Sequence, residues 1–278
     1  MVSMSTNNVG EYIRGMNDLS TVPALLAKIL SVVRNEMSSP KDLFKLVSHD
    51  LSLAEKVVRV ANSAVFGHSG QINNIDQAIM FLGYDRIKSI AVGMTVMDFF
   101  PVKSSFNIKN LWLHGYEVAL IAQTLSELIC MTCPRECFLS GLLHDIGRII
   151  FFRMDNEKYL EVKTTKDMLE RETEVFGLTH AEAGALFTSH HGMPQEIISS
   201  IKYHHTPSQA TEYKDAVSIV ALAEALSRRL SPMSENDGIW TEEHDALMME
   251  FQLKDDDLLF IGDRFCAARV DIHDFFNS

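Results

Sequence analysis

Five histidines and two carboxylates in this chain fall where helical periodicity turns them inward or sets them at a helix end. They are His114, His144, His180, His204 and His205, with Asp145 and Glu224. His144 and Asp145 stand together in "GLLHDIGRII" (141–150), inside an otherwise oily run. A charge buried alone among apolar side chains is very costly, so such groups are normally paired or metal-bound. Imidazole nitrogen combined with carboxylate oxygen suits a divalent ion: Fe, Mn, Zn or Mg. The His144-Asp145 pair can offer two side chains to one ion, with His114 and Glu224 closing the shell. His180, His204 and His205 can hold a second ion or contact phosphate. Arg148, one turn after His144, suits an anion held beside the metal. The chemistry such a site supports is activation of water against a phosphoester, with Asp145 orienting it and Arg148 stabilising charge. Any one of these histidines alone reads as a hydrogen-bonded core residue. For the whole set, a purely structural polar network is the alternative to a metal.

The elements that must position these groups are helices, because 3.6-residue periodicity dominates and no alternating strand pattern is found. Pro23 opens "VPALLAKILSVVRNEM", and Ser39-Pro40 reads as an N-cap followed by an N1 proline. "LSLAEKVVRVANSAVFG" has apolar positions at Leu53, Val57, Val58 and Val60, and "NIDQAIMFLG" ends at Gly83. In "LWLHGYEVALIAQTLSELI" Val118, Ile121, Ala122, Leu125, Leu128 and Ile129 form one stripe, with His114 a turn before Val118. "FLSGLLHDIGRIIFF" is apolar on nearly all sides and reads as one buried central helix. Thr179 to Glu182 is a capping box that sets His180 in a first turn. Ile197 and Ile201 point His204 and His205 inward, and Val217 and Val220 do the same for Glu224. His190 and His191 read as surface or loop residues. The tail beyond Leu230 reads as a polar loop and one or two amphipathic helices, with Asp255-Asp256-Asp257 as a charged helix start.

At 278 residues the chain can bury a large core, and 46% hydrophobic with 22% charged residues is ordinary for a globular protein. A net charge of -12 argues against bulk binding to nucleic acid or an anionic membrane. No apolar run is long enough to span a bilayer, and the N-terminus lacks the pattern of a signal peptide. The four cysteines make no disulfide framework, and a reducing cytoplasm is the simplest setting. Cys130, Cys133 and Cys137 lack a second half-site to complete four zinc ligands, so they read as small thiols around a loop. Asn62-Ser63 reads as hydrogen bonding that terminates a helix against the second lobe rather than as a recognition loop.

Several of these stretches together resemble the HDOD family, the HD-related output domain of bacterial signalling proteins. They are "VPALLAKIL", "HDLSLAEKVVRVANSAVFG", "INNIDQAIMFLG", "LWLHGYEVA", "FLSGLLHDIGRII", "THAEAGALF", "GMP" and "YHH". The resemblance covers about two-thirds of the chain, and "RVANSAVFG" with "IDQAIMFLG" is far more specific than the HDIG tetrapeptide. It implies an all-α, HD-like bundle related to the HD and HD-GYP metal-dependent phosphohydrolases, in a family generally regarded as regulatory. On this reading residues 14–209 form the HDOD domain, a helical lobe over 14–105 packed on an HD-like lobe over 106–209. Residues 210–278 add a helical extension packed on the second lobe.

Carried over, His114 matches the first HD histidine, His144-Asp145 the central doublet, and His180 with His204-His205 the added histidines of the HD-GYP type. Glu224 stands where the HD pattern has aspartate, and Arg148 where HD-GYP enzymes commonly have lysine. No Gly-Tyr-Pro follows His205. The implied role is a signal-output module that keeps a metal pocket and binds a signalling protein or a small phosphorylated ligand. Its rivals are an active phosphohydrolase of nucleotides or cyclic dinucleotides, and a metal-free adaptor.

Overall fold

The structure, a computed structural model, describes residues 6–16, 22–34, 38–63, 66, 72–100, 106–129, 134–230 and 240–277. Every extended regular element among them is an α-helix. In chain order they are α1 (Thr6–Gly15), α2 (Val22–Arg34), α3 (Pro40–Ser48), α4 (Leu51–Ala61), α5 (Ile75–Leu82) and α6 (Tyr84–Phe99). The chain continues with α7 (Phe106–Ile129), α8 (Pro134–Leu143), α9 (Ile146–Met154), α10 (Asn156–Val162) and α11 (Met168–Phe176). The last are α12 (His180–His190), α13 (Gln195–Tyr203), α14 (Lys214–Leu230), α15 (Glu242–Glu250) and α16 (Asp255–Asn277). A short 3-10 turn, Pro207–Gln209, precedes α14. No helix among the described residues is long and apolar enough to cross a membrane.

Side-chain caps mark where many helices begin, since the first N–H groups of a helix have no intrahelical acceptor. The Ser39 backbone N–H and hydroxyl both donate to Asp42 Oδ2, at 2.9 and 2.7 Å. Leu53 N–H donates to Asp50 Oδ1 (3.0 Å), and Gln77 N–H to Asn74 Oδ1 (2.9 Å). Gly83, at φ +86°, ends α5 and turns the chain into α6. Asn62 ends α4, donating through Nδ2 to the Ile72 carbonyl (2.6 Å) while Ile72 N–H donates to its Oδ1 (3.0 Å). The helix-terminating role is the one expected, but the partner is Ile72 of the same lobe rather than the second lobe.

Helix α7 is the spine. One side joins the larger core through Leu111, Trp112, Tyr116, Ala119 and Leu120. The other side, with Val118, Ile121, Ala122 and Leu125, closes a second core against Ile219, Leu222 and Leu226 of α14 and Ile261 and Phe265 of α16. A helix walled on two sides must be apolar on both, which is why its pattern is broader than a single stripe. Helix α8 crosses α7 closely: a Cβ on Gly141 would lie 2.8 Å from the Ala119 Cα. This crossing brings His114 beside His144. Cys137 is buried in the second core, while Cys130 and Cys133 lie outside the described residues.

"FLSGLLHDIGRIIFF" departs from the expectation of one continuous helix. It is buried from Phe138 to Phe151, but the helix stops at Leu143 and restarts at Ile146. Asp145 is the N-cap residue of α9, with φ -98° and ψ 12°. Short polar side chains compete for backbone partners and favour helix boundaries over interiors, and apolar periodicity does not register that competition.

At the start of α13, burial and the neighbouring Glu136 carboxylate push Glu196 up to about 7 from its ordinary 4.5. The folded chain therefore holds a proton that the unfolded chain has released between those values. The stability it contributes is full below 4.5 and is lost as pH rises through 7. Glu196→Gln is expected to match the parent's Tm at about pH 5 and exceed it at about pH 8, by thermal circular dichroism. A Tm difference that is the same at both pH values contradicts this.

Candidate metal centre

Six helices bring the inward polar groups to one place. His114 rides on α7, and His144 and Asp145 form the break between α8 and α9. His180 is the first residue of α12, His204 and His205 follow α13, and Glu224 lies on α14. Their placement follows from local rules. Thr179 N–H donates to Glu182 Oε2 (2.8 Å) and Glu182 N–H to Thr179 Oγ1 (3.2 Å), the reciprocal cap that starts α12 at His180. An aspartate at an N-cap usually accepts from the first-turn N–H groups. Asp145 makes no such bond. Its carboxylate turns instead toward the histidines.

Asp145 is the hub. Its Oδ2 lies 3.4 Å from His144 Nε2 and 3.8 Å from His114 Nε2. Its Oδ1 lies 3.2 Å from His180 Nε2, 3.9 Å from His204 Nε2 and 3.0 Å from Arg148 Nε. Glu224 Oε2 is 3.8 Å from His204 Nε2 and 4.0 Å from His205 Nδ1, and its Oε1 accepts from Arg228 Nη2 at 2.9 Å. His205 Nε2 is 3.0 Å from His180 Nε2. His144, Asp145, Arg148, His180, His204 and Glu224 are each at most 3% exposed.

The far ring nitrogens are held by other partners. His144 Nδ1 is 2.7 Å from the Gly141 carbonyl and His204 Nδ1 is 2.6 Å from that of Ile201. A carbonyl can only accept, so each Nδ1 carries the proton and each Nε2 presents a lone pair. His180 Nδ1 donates to Glu172 Oε2 (2.8 Å), and its backbone N–H donates to the same oxygen (2.7 Å). A carboxylate behind a histidine fixes its ring and raises its basicity, as in many metal sites.

The electrostatics divide the histidines. Burial pushes His114 and His204 down to about 3, and His205 well below its ordinary value. All three are therefore neutral at neutral pH, the form a metal requires. Burial also lowers His180, but the Glu172 carboxylate outweighs it and lifts the ring to about 9. Burial would raise Asp145, yet Arg148 and His144 hold it well below the usual carboxylate range. Glu224 is held low against burial by His205 and Arg228.

Nε2 of His114, His144 and His204 is buried with no hydrogen-bond partner in the structure. Unsatisfied buried polar atoms are rare, and three ring nitrogens beside a carboxylate, those of His144 and His204 with their lone pairs fixed, match what a divalent ion would take. Three overlapping ligand sets occur: Asp145 with His180, His204 and His205; His114 with His144 and Asp145; and His144 with His204 and Glu224. In each set the ligand atoms lie within 4.8 Å of one another. This buried His/Asp group can hold a metal ion.

All seven groups anticipated as ligands, and Arg148, thus meet in one centre. Arg148 pairs with Asp145 rather than standing ready for an external anion. Periodicity missed Glu172 and Arg228. Glu172 had one signal, a carboxylate eight residues before a histidine that a capping box turns inward. Arg228 follows Glu224 at i+4, a spacing read off any helix face. His190 is exposed as expected, but His191 is not a free surface residue. Its ring packs on Phe99 and Phe187, with centroids 5.7 and 4.5 Å away.

A cleft of about 390 Å³ opens beside the centre, with His204, His205 and Glu224 in its wall.

An all-helical bundle thus gathers imidazoles and carboxylates from successive helices around a His-Asp doublet, in a group that can hold a metal ion. A sequence model of the HDOD domain matches residues 19–207. The chain belongs to the HDOD family. It is similar in fold to an HDOD domain protein of unknown function from Geobacter sulfurreducens, at 23% identity and a TM-score of 0.74, covering 98% of this chain and 97% of that one. A protein from Shewanella amazonensis SB2B, provisionally named a phosphohydrolase, aligns at 24% identity and a TM-score of 0.75, over 95% of this chain and 97% of that chain. In sequence the chain is 25% identical over 228 residues to an uncharacterised protein of Treponema pallidum, over 77% of its own length. It spans only 43% of the length of that relative.

Proposed function

We propose that this chain is a bacterial, cytoplasmic signal-output module whose buried centre binds a divalent ion and whose loaded pocket recognises a small phosphorylated ligand or a protein partner. The observation that carries the metal is the set of unpartnered Nε2 atoms on His114, His144 and His204, converging on Asp145. His114, His144, Asp145, His204, His205 and Glu224 are the groups that would hold it, joined by His180 once an ion displaces its ring proton. A bound ion there supplies Lewis-acid polarisation of phosphoryl oxygen and acidifies bound water. Recognition is favoured over turnover because each carboxylate already faces a guanidinium, Asp145 that of Arg148 and Glu224 that of Arg228. Each ion pair lowers the basicity of a carboxylate that turnover would need as a proton acceptor.

Full-length protein purified without chelator is expected to carry a substantial fraction of an equivalent of iron, manganese, zinc or magnesium by plasma mass spectrometry. Less than about a tenth of an equivalent, also after reconstitution with each ion, would sink the metal and leave a metal-free adaptor. A second reading, a metal-dependent phosphohydrolase, is favoured by the cleft reaching His204, His205 and Glu224. Turnover of a phosphoester by metal-loaded protein, abolished in His144→Ala, establishes that reading. A flat response across phosphomonoesters and cyclic dinucleotides leaves recognition.

A further inference from the structure

The wall of the cleft opposite the metal centre comes from two places. One is the stretch entering α11, with Lys166, Met168 and Glu170, and the other is the start of α15, with Thr241, Glu243 and His244. The second of these lies beyond residues 19–207, the span that the family shares.

Size comes first. A cleft of about 390 Å³ is at the small end of the range of roughly 300–1,000 Å³ for small-molecule sites. It has room for one nucleotide-sized body but not for two. Charge comes second. Lys166 is the one lysine or arginine among the described residues of the lining, against Asp167, Glu170 and Glu243 at the mouth. Glu224, deeper, is matched by Arg228. Such a mouth repels a polyanion, and like charges set face to face are a recognised means of rejecting a partner.

The hydrogen-bonding groups come third. His244 Nδ1 accepts from the Thr241 backbone N–H at 3.1 Å, so its ring proton sits on Nε2 as a neutral donor. Glu243 uses Oε1 to accept from Ser208 N–H (3.1 Å). With Glu170 it gives the mouth carboxylate acceptors suited to hydroxyl or amino groups. At the inner end His204 is 2% exposed and its Nε2 has no partner. That end is where a phosphate would meet the ion.

On the reading that the centre holds a metal, we infer that this cleft takes a singly phosphorylated small molecule of mononucleotide size with a hydroxyl- or amine-rich body. Its phosphate lies at the His204–His205 end and its body between α11 and α15. Cyclic dinucleotides are excluded by the cleft's size, and RNA by its size and by the acidic mouth.

The test is calorimetric titration of manganese-loaded, full-length protein with AMP, GMP, inorganic phosphate, a cyclic dinucleotide and a short single-stranded RNA, with metal content measured on the same samples. At least one mononucleotide is expected to bind tenfold or more tighter than phosphate and than the cyclic dinucleotide or the RNA. Ala225→Leu, which fills the cleft from α14, is expected to abolish that preference. Glu170→Lys, on the exposed rim, is expected to narrow the gap between mononucleotide and RNA several-fold, a change that a structural role alone does not produce. The inference is overturned if the mononucleotides bind no tighter than phosphate, or if the cyclic dinucleotide or RNA binds as tightly. Metal uptake without the preference rejects the cleft assignment alone. The preference without metal uptake rejects the metal and keeps the cleft, and the loss of both rejects both.

Discussion

Asp145→Ala is expected to strip the centre of metal and to lower the stability of the fold. Asp145 takes part in two of the three ligand sets and stands 3.0 Å from Arg148 Nε. Arg148 is 1% exposed, so removing the carboxylate leaves its guanidinium without its nearest counter-charge in a buried site. Breaking a buried pair from one side typically costs about 3–5 kcal/mol. Outer-shell changes in metal sites already cost about 10–100-fold in affinity, and loss of the hub should exceed that. Urea unfolding of the chelator-treated protein and metal content after dialysis read the two effects separately. Asp145→Asn, which keeps an acceptor for Arg148, should recover part of the stability and little of the metal. Unchanged metal content in Asp145→Ala would show that the hub is structural only.

Gly147→Ala should be the most damaging methyl group that can be added to the chain near the centre. A Cβ at 147 would come within 2.7 Å of the His180 carbonyl carbon and 2.9 Å of its Cα, with the carbonyl oxygen closer still. Those are backbone atoms and cannot rotate away. Overpacking a core costs about 1–3 kcal/mol, and a backbone clash belongs at the upper end or beyond. Relief requires α9 and α12 to separate, which lengthens the 3.2 Å contact between Asp145 and His180. Gly262→Ala provides the contrast. There the nearest atom is a Leu230 methyl at 3.7 Å, inside a helix where alanine is favoured by about 0.5–1 kcal/mol. Equal urea midpoints for the two variants would refute the close-approach argument.

The helices that carry the site were legible because their signals are local. The capping box fixed His180, the apolar spacing of Ile197 and Ile201 aimed His204 and His205, and Val217 and Val220 did so for Glu224. Helix α1 is hard to read from the sequence although Val9, Ile13 and Met16 repeat at helical spacing and are all buried. Its polar flanks, with asparagines and glycine, masked a three-residue stripe. The split between α8 and α9 and the Glu172–His180 pair were not legible for a different reason. Both depend on which distant group a polar side chain meets, and that is decided by the crossing of helices rather than by periodicity. Arg148 shows the same limit: its position on the inward face was readable, but its partner was not.

The hydrogen bonds from His144 to the Gly141 carbonyl and from His204 to the Ile201 carbonyl run to the residue three back in the same chain. The end of a helix leaves such carbonyls without a backbone partner, and here an imidazole takes the place of the missing N–H. Folding the last turns of α8 and α13 thus orients two lone pairs before any ion arrives. An ion that enters such a place binds only the folded chain, and its affinity is added directly to the folding equilibrium. The melting temperature at a series of free-metal concentrations then becomes a thermometer for occupancy, and the ends of two helices are where it is read.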